Sequence, residues 1–116
     1  MTNTQTLGRE AEHRAEQWLA RQGLRALSRN YRCRGGEIDL VMHDGESLVF
    51  VEVRCRNNDS HGGALASVGA GKQRRLVIAA QHYLQTSGWQ GPCRFDVVGF
   101  EPDGDKPLWI RNAFDA

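Results

Sequence analysis

Four charged residues in two predicted strands have the types and the spacing of a small acidic site. Glu37 and Asp39 lie two positions apart in one segment, and Glu52 and Arg54 lie two positions apart in the next. Side chains alternate along a strand, so each pair emerges on one face. Carboxylates beside a cation suit Mg²⁺, which prefers one or two carboxylates, water molecules and substrate phosphates as ligands. Such an ion acidifies water and offsets charge on phosphate oxygens, which is the chemistry of phosphodiester hydrolysis.

The turn between the two segments predicts how these residues meet. Asp44-Gly45 is a strong hairpin signal between runs of apolar residues. A hairpin that closes symmetrically around this dipeptide places Glu37 opposite Glu52. In the same register Asp39 lies opposite Phe50. The three carboxylates and the arginine then share one face of the hairpin, because paired strand positions point the same way.

Two interpretations of this acidic face stay open on charge alone. Like charges facing each other across a ladder destabilise it by roughly 0.2–1 kcal/mol, and burial raises that penalty. A solvated strand end where acids and arginines pair is the simpler interpretation. Glu52, however, interrupts the apolar run at 48–53, which is typical of a strand buried on both faces. That position favours a site in which a divalent cation neutralises the carboxylates.

Two helices and at least four strands must position the acidic face. Apolar periodicity predicts helices over 7–22 and 72–85, and strands over 24–33, 37–42, 48–53 and 94–100, with a short last strand at 108–110. The order α-β-β-β-α-β predicts an α/β domain with a mixed sheet flanked by helices. The Gly-, Asn- and Ser-rich segment 57–71 is predicted to be a loop that closes over a substrate or joins a homodimer.

Length and composition exclude several classes of protein. The 116 residues are enough for a single domain, 1–116, with a modest core. The chain is 40% hydrophobic and 25% charged with a net charge of +1, which excludes a disordered chain and a uniformly basic coat. Of the fifteen cationic residues only Lys72 and Lys106 are lysines, and residues 101–116 form an acidic C-terminal extension.

Cysteine usage and the N-terminal sequence predict a cytoplasmic protein. Cys33, Cys55 and Cys93 are odd in number and have no zinc-ligand spacing. The polar N-terminal sequence has no signal-peptide pattern, and no apolar run approaches the ~18 residues of a membrane span. Free thiols without an export signal indicate the cytoplasm, and no membrane partner is expected.

Basic residues flank the acidic segments and begin the second helix. A guanidinium binds phosphate bidentately, so these side chains are predicted to rim one cleft and contact a nucleic-acid backbone. They are Arg32, Arg34, Arg56, Lys72, Arg74 and Arg75. Contacts to ~4–6 phosphates would give salt-dependent binding that is largely independent of sequence.

Several motifs resemble the bacterial YraN family. Residues 36–40 (GEIDL) and 50–56 (FVEVRCR) are similar to that family's GEIDL … FVEVK-x-R signature. Further similarity lies in residues 7–19, 30–32, 72–76 and 94–98, so the resemblance covers residues 7 to about 100. It implies a restriction-endonuclease-like core similar to the PD-(D/E)XK nucleases and archaeal Holliday-junction resolvases. The activity it implies is an Mg²⁺- or Mn²⁺-dependent endonuclease on structured DNA, branched DNA included.

The resemblance also implies roles for individual residues. Asp39 matches the first metal-binding aspartate of the nuclease motif, and Glu52 matches the acidic residue of its second half. Glu12 corresponds to a first-helix glutamate that approaches the metal in resolvase-like members. Gln73, or Lys72 beside it, would lie near the scissile phosphate. From its position we expect Glu37 to support the site by pairing with Arg32 or Arg34.

Arg54 departs from the nuclease pattern, which has lysine at this position. Arginine keeps its proton in proteins, so it is a poor general base. We expect Arg54 to stabilise charge in the transition state. The alternative is a non-catalytic domain that keeps the nuclease fold while binding nucleic acid or scaffolding a complex. A plain protein-interaction module is a third hypothesis, distinguished by a lack of salt-dependent DNA binding.

Overall fold

A five-stranded mixed sheet carries one helix on each face. The computed structural model describes residues 4–55, 68–100 and 106–115, with side chains from residue 8 onward. The elements are α1 (Thr4–Arg21), β1 (Arg25–Cys33), β2 (Gly36–Asp44), β3 (Ser47–Cys55), α2 (Ala70–Ser87), β4 (Cys93–Phe100) and β5 (Leu108–Phe114). The predicted α/β class is confirmed. The part predicted as an acidic extension contributes β5, and most of the predicted 57–71 loop lies outside the described residues.

The strand order is β1-β2-β3-β4-β5, with β3 at the centre. All neighbouring strands are antiparallel except β3 and β4, which are parallel. A parallel pair needs a crossover connection, and α2 lies within it. The centre of β3 is therefore covered on both sides, which explains its apolar run from Leu48 to Val51.

Two apolar clusters hold the helices on the sheet. The α1 cluster contains Ala11, Ala15, Leu19, Leu40, Met42, Val49 and Val51. The α2 cluster contains Leu76, Ala79, Ala80, Ile38, Val41, Leu48 and Phe50. The predicted apolar stripes thus supply the residues that pack on the sheet, except that Ile78, also expected on the buried side of α2, is 42% exposed. Neither helix in the described ranges is long and apolar enough to cross a membrane.

The β2–β3 hairpin closes one residue later than the sequence predicts. Asp44 pairs with Ser47, and the turn is Gly45-Glu46. Gly45 has a φ of 60°, where a type II′ turn places glycine. The predicted pairs of Glu37 with Glu52 and of Asp39 with Phe50 are therefore wrong.

The corrected register brings the two central acids level with each other. The observed pairs run to Leu40 with Val51, and Val41 is the partner of Phe50. The same register, continued by one position, puts Asp39 beside Glu52. Each residue of β2 pairs two residues further along β3 than predicted. Because this shift is even, Asp39 and Glu52 stay on corresponding sides of their strands.

β1 and β2 exchange faces at the level of Asp39. Ile38 packs in the α2 cluster whereas Leu40 packs in the α1 cluster, although strict alternation would put both on one face. Directly across, on β1, Asn30 has a left-handed φ of 51°. Asparagine tolerates this conformation better than most residues. The irregularity turns the start of β2 toward α2.

Gly36 sets how closely the β1–β2 turn approaches α2. A Cβ added there would overlap the Arg75 carbonyl oxygen and lie 2.8 Å from the Ala79 nitrogen. Both atoms belong to the helix backbone and cannot rotate away. We expect Gly36→Ala to lower the free energy of unfolding by roughly 1–3 kcal/mol, as overpacking does.

Gly8→Ala is the matched control for this prediction in chemical denaturation. Gly8 lies in α1 with open space around its Cα, so the substitution should stabilise the helix by up to about 1 kcal/mol. Equal effects of the two substitutions would contradict the account.

Candidate metal and nucleic-acid site

The Asp39 carboxylate lies where β2 and β3 cease to pair. Its Oδ2 accepts a hydrogen bond from the Val53 backbone N–H at 2.9 Å. The carboxylate thus takes the place that a backbone carbonyl would hold in a continued ladder. Its negative charge raises the pKa of Glu12 on α1 and of Glu52 on β3, so the three acids are electrostatically coupled. Asp39 is the centre of the acidic group.

Glu52 is a buried carboxyl group with incomplete polar contacts. Its side chain is 3% exposed, and Oε2 has no hydrogen-bond partner within the described part of the chain. Oε1 lies 3.6 Å from Lys72 Nζ and 3.8 Å from Arg54 Nη1. Burial, followed by the charge of Asp39, raises the pKa of Glu52 to about 8, despite the opposing effects of Lys72 and Arg54. Burial beside Asp39 thus favours the protonated form of Glu52.

Glu12 belongs to the same group of acids. It is half-buried, and burial followed by the negative charge of Asp39 raises its pKa. A hydrogen bond from the Asn30 side chain acts in the opposite direction. The structure thus brings together the three residues that the family resemblance implied as metal ligands.

Lys72 lies among the carboxylates rather than on the outer rim. Its Nζ donates a hydrogen bond to Glu37 Oε1 at 3.2 Å, and its side chain is 16% exposed. The expected partner of Glu37 is also present, since Arg32 Nε lies 3.7 Å from Glu37 Oε2. Lys72 therefore brings a primary ammonium group from α2 to the acids, beside the arginine that replaces the usual lysine.

Gln73 anchors the start of α2. Its Nε2 donates a hydrogen bond to the Val68 carbonyl at 3.0 Å, and its backbone N–H bonds to the Gly69 carbonyl. This contact satisfies a carbonyl just ahead of the helix. The side chain supports the element that carries Lys72.

The predicted basic cluster is only partly gathered in one groove. Arg32 and Arg75 line a groove of about 360 Å³ together with Glu37. Arg34 and Arg74 are exposed on the same turn and helix, and Arg56 lies outside the described residues.

Sequence reasoning missed Asn30 and Arg9. Both line a groove of about 180 Å³ beside Glu12. The available signal was an asparagine within a strand, where its ability to adopt a left-handed backbone marks a local irregularity. Arg9 has no comparable signal, because one exposed arginine on a helix is ordinary.

Asp96 shows how this fold satisfies a buried acid that has a structural role. It is fully buried and accepts hydrogen bonds from Arg94 Nε at 3.0 Å, Trp109 Nε1 at 2.9 Å and the Asn112 backbone N–H at 2.9 Å. Both of its oxygens therefore accept hydrogen bonds. Glu52 differs because one of its buried oxygens lacks such a donor.

The donor set fits a hard divalent cation held partly by water and substrate. Within the described ranges, no three His, Cys, Asp or Glu side chains form a ready-made metal cage. Asp39 and Glu52 nevertheless offer two adjacent carboxyl groups, and Mg²⁺ is commonly bound through one or two carboxylates. The unpartnered Oε2 of Glu52 is an available ligand atom.

Comparisons with known proteins agree with the sequence motifs. Residues 11–100 match the model of the family described as "Uncharacterised protein family UPF0102". The chain belongs to the UPF0102 family. This is the YraN family that the motifs indicated.

Relatives of this UPF0102 chain match along almost its whole length. A UPF0102 protein from Aeromonas hydrophila is 56% identical over 92% of this chain and 83% of its own. One from Cupriavidus taiwanensis is 57% identical over 97% of this chain and 85% of its own. One from Ectopseudomonas mendocina is 52% identical over the full length of both.

The raised pKa of Glu52 predicts a pH-dependent stability. The folded protein, with a pKa of about 8 at Glu52, binds more protons than the unfolded chain, where the value is near 4.5. This contribution is complete below pH 4.5 and is lost as the pH rises through 8. Each pKa unit corresponds to about 1.4 kcal/mol. Glu52→Gln cannot titrate at this position and should not lose this contribution. In EDTA, the free energy of unfolding of the variant minus that of the wild type should therefore increase by at least about 1 kcal/mol from pH 5.5 to pH 8.5.

Chemical denaturation at several pH values checks this expectation. Glu46→Gln, in the exposed β2–β3 turn, serves as the control and should track the wild type. Parallel pH profiles for wild type and Glu52→Gln would contradict the account.

Proposed function

We propose that this protein is an Mg²⁺- or Mn²⁺-dependent endonuclease that hydrolyses phosphodiester bonds in structured DNA. The observation that carries the proposal is the buried Glu52 carboxyl group, whose Oε2 has no hydrogen-bond partner among the described residues and whose pKa is raised by burial and by the charge of Asp39. A buried acid beside another acid is unfavourable unless a proton or a cation offsets the charge. A structural role would not require this arrangement, as the fully bonded Asp96 shows.

Asp39 and Glu52 are the residues that would hold the ion, with Glu12 next to them. When bound, such an ion supplies Lewis-acid chemistry, acidifying water and offsetting charge on phosphate oxygens. Asp39 is fixed for this role because Val53 N–H holds one of its oxygens. Glu52 must lose its proton to become a ligand, so its binding role strengthens as the pH rises toward 8.

Arg54 and Lys72 supply the positive charges of the proposed reaction. Both lie within 4 Å of Glu52 Oε1. Arg54 remains protonated, which suits it to stabilise charge on a phosphate and excludes it as a general base. Lys72 and Arg32 also hold Glu37, so that carboxylate supports the cationic groups.

A specific observation favours a second function. Lys72 already offsets part of the charge on Glu37 and Glu52 from inside the protein. The ammonium group of Lys72 can stabilise these carboxylates in a domain that binds no metal ion. The second candidate is therefore a non-catalytic domain that binds nucleic acid or scaffolds a complex.

We further propose that the protein acts in the cytoplasm. The three cysteines are free, and Cys55 and Cys93 are exposed, as is typical of a reducing compartment. Symmetric cutting of two strands would favour a homodimer. Size-exclusion chromatography with light scattering tests that state.

Cleavage of labelled branched, flapped and linear DNA with Mg²⁺ or Mn²⁺ tests the nuclease. We expect Asp39→Asn to reduce cleavage by at least about 10²-fold, since even partners of metal ligands contribute 10–100-fold. The asparagine carbonyl can still accept the bond from Val53 N–H, so the sheet should be preserved. Glu46→Gln, at the far end of the same hairpin, should cut like wild type.

The outcomes separate the two candidates. Metal-dependent cutting that is lost in Asp39→Asn supports the nuclease. Tight, salt-sensitive binding by both proteins with no cutting overturns it in favour of the binding domain. Cutting that persists in Asp39→Asn would mean that the activity does not depend on the proposed metal site.

A further inference from the structure

Two grooves meet at Arg32, and each has one carboxylate in its wall. The first is lined by Arg32 and Arg75 and has Glu37 in its wall. The second is lined by Arg32 and Arg9 and has Glu12 in its wall. Arg32 belongs to both, so the two grooves adjoin. They lead from α2, over the β1–β2 turn, to the N-terminal half of α1.

The arginines at the two ends are available for an external anion. Among the described residues, Arg9 and Arg75 have no carboxylate within 4.0 Å, and both side chains are exposed. Arg29, close to the second groove, differs because it is held by a bidentate ion pair with Glu16 at 2.5 and 2.7 Å. Arg94 is likewise held, by Asp44 and Asp96. The fold thus neutralises some arginines internally and leaves those at the ends of the grooves without such partners.

The spacing and charge of these groups suit a chain of phosphates. A guanidinium binds a phosphate through two parallel N–H donors. Three arginines along adjoining grooves match a polyanion better than one small anion. Glu37 lines the first groove and Glu12 the second, so an anion that follows both grooves passes these two carboxylates.

We infer that Arg75, Arg32 and Arg9 form a track that binds the phosphodiester backbone of the substrate across Glu37 and Glu12. This inference rests on the proposed function and deepens it, because it assigns the path of the nucleic acid and adds Arg9 as a contact on α1. The track contacts phosphates and reads no bases, so binding is largely independent of sequence.

Salt dependence measures each contact separately. We would titrate a fluorescein-labelled DNA duplex with the full chain in EDTA, follow anisotropy, and repeat at several KCl concentrations. Each phosphate contact contributes about −0.9 to the slope of log Kobs against log [KCl]. Arg9→Gln and Arg75→Gln should each make the slope less steep by about 1 and weaken binding, and the double variant should lose both contributions.

Arg25→Gln is the matched control. Arg25 is an exposed arginine at the start of β1, seven residues from Arg32 and so about 20 Å away along the strand. It should bind like wild type. Circular dichroism and thermal unfolding of every variant confirm that each has folded.

A second measurement locates the bound DNA. Cys33 lines the first groove, whereas Cys93 lies at the start of β4, opposite the β3 residue Leu48 and at the far end of the sheet. Bound duplex should slow maleimide alkylation of Cys33 and leave that of Cys93 unchanged.

The outcomes of these assays are distinct from those of the cleavage assay. DNA binding by wild type that Arg9→Gln and Arg75→Gln leave unchanged would overturn the track, even if the protein cuts DNA. An absence of binding by wild type would also overturn it. Weakened binding by both variants, with no cleavage by any protein, would support the track and overturn the nuclease.

Discussion

The hydrogen bond between the Asp39 carboxylate and the Val53 N–H is the interaction on which the site depends. It ends the β2–β3 ladder with a side chain instead of a backbone carbonyl. This brings a negative charge against β3 at the end of its apolar run. The raised pKa values of Glu52 and Glu12 follow from burial and from the charge of Asp39.

Two backbone features permit this arrangement. The left-handed Asn30 and the change of face at Asp39 turn the start of β2 toward α2. Gly36 lets that turn contact the backbone of α2, since any side chain there would collide with it. The close contact brings Lys72 to Glu37 and Glu52 and places Arg75 beside Arg32. The groove and the acidic group are therefore consequences of the same packing.

The sequence predicts most of the fold because its signals are periodic. The apolar stripes of both helices and the apolar run of β3 identify the packed faces. The predicted turn, Asp44-Gly45, differs from the observed turn, Gly45-Glu46, by one residue, which moves each pairing partner by two residues. Local sequence does not distinguish the two turns, because both dipeptides are acceptable. An even shift keeps paired residues on the same face, so Asp39 and Glu52 still lie on corresponding sides of their strands.

Other features of the site depend on tertiary contacts that have no local signal. The inward position of Lys72 arises because Gly36 admits the β1–β2 turn so close to α2. Asn30 contacts Glu12 only through the pairing of β1 with β2 and the packing of α1. The motif resemblance identified Glu12, Asp39 and Glu52, and the structure explains their proximity through Asp39.

Calorimetric titration of the protein with Mn²⁺ near pH 7 tests the central claim, that Asp39 and Glu52 form a cation site, most directly. Two buffers with different ionisation enthalpies report the protons released on binding. The account predicts specific binding by the wild type with release of up to about one proton, as Glu52 becomes a ligand. In Glu52→Gln, binding should weaken and proton release should fall. Equal affinity and equal proton release in the two proteins, or no binding by the wild type even at pH 8.5, would contradict it.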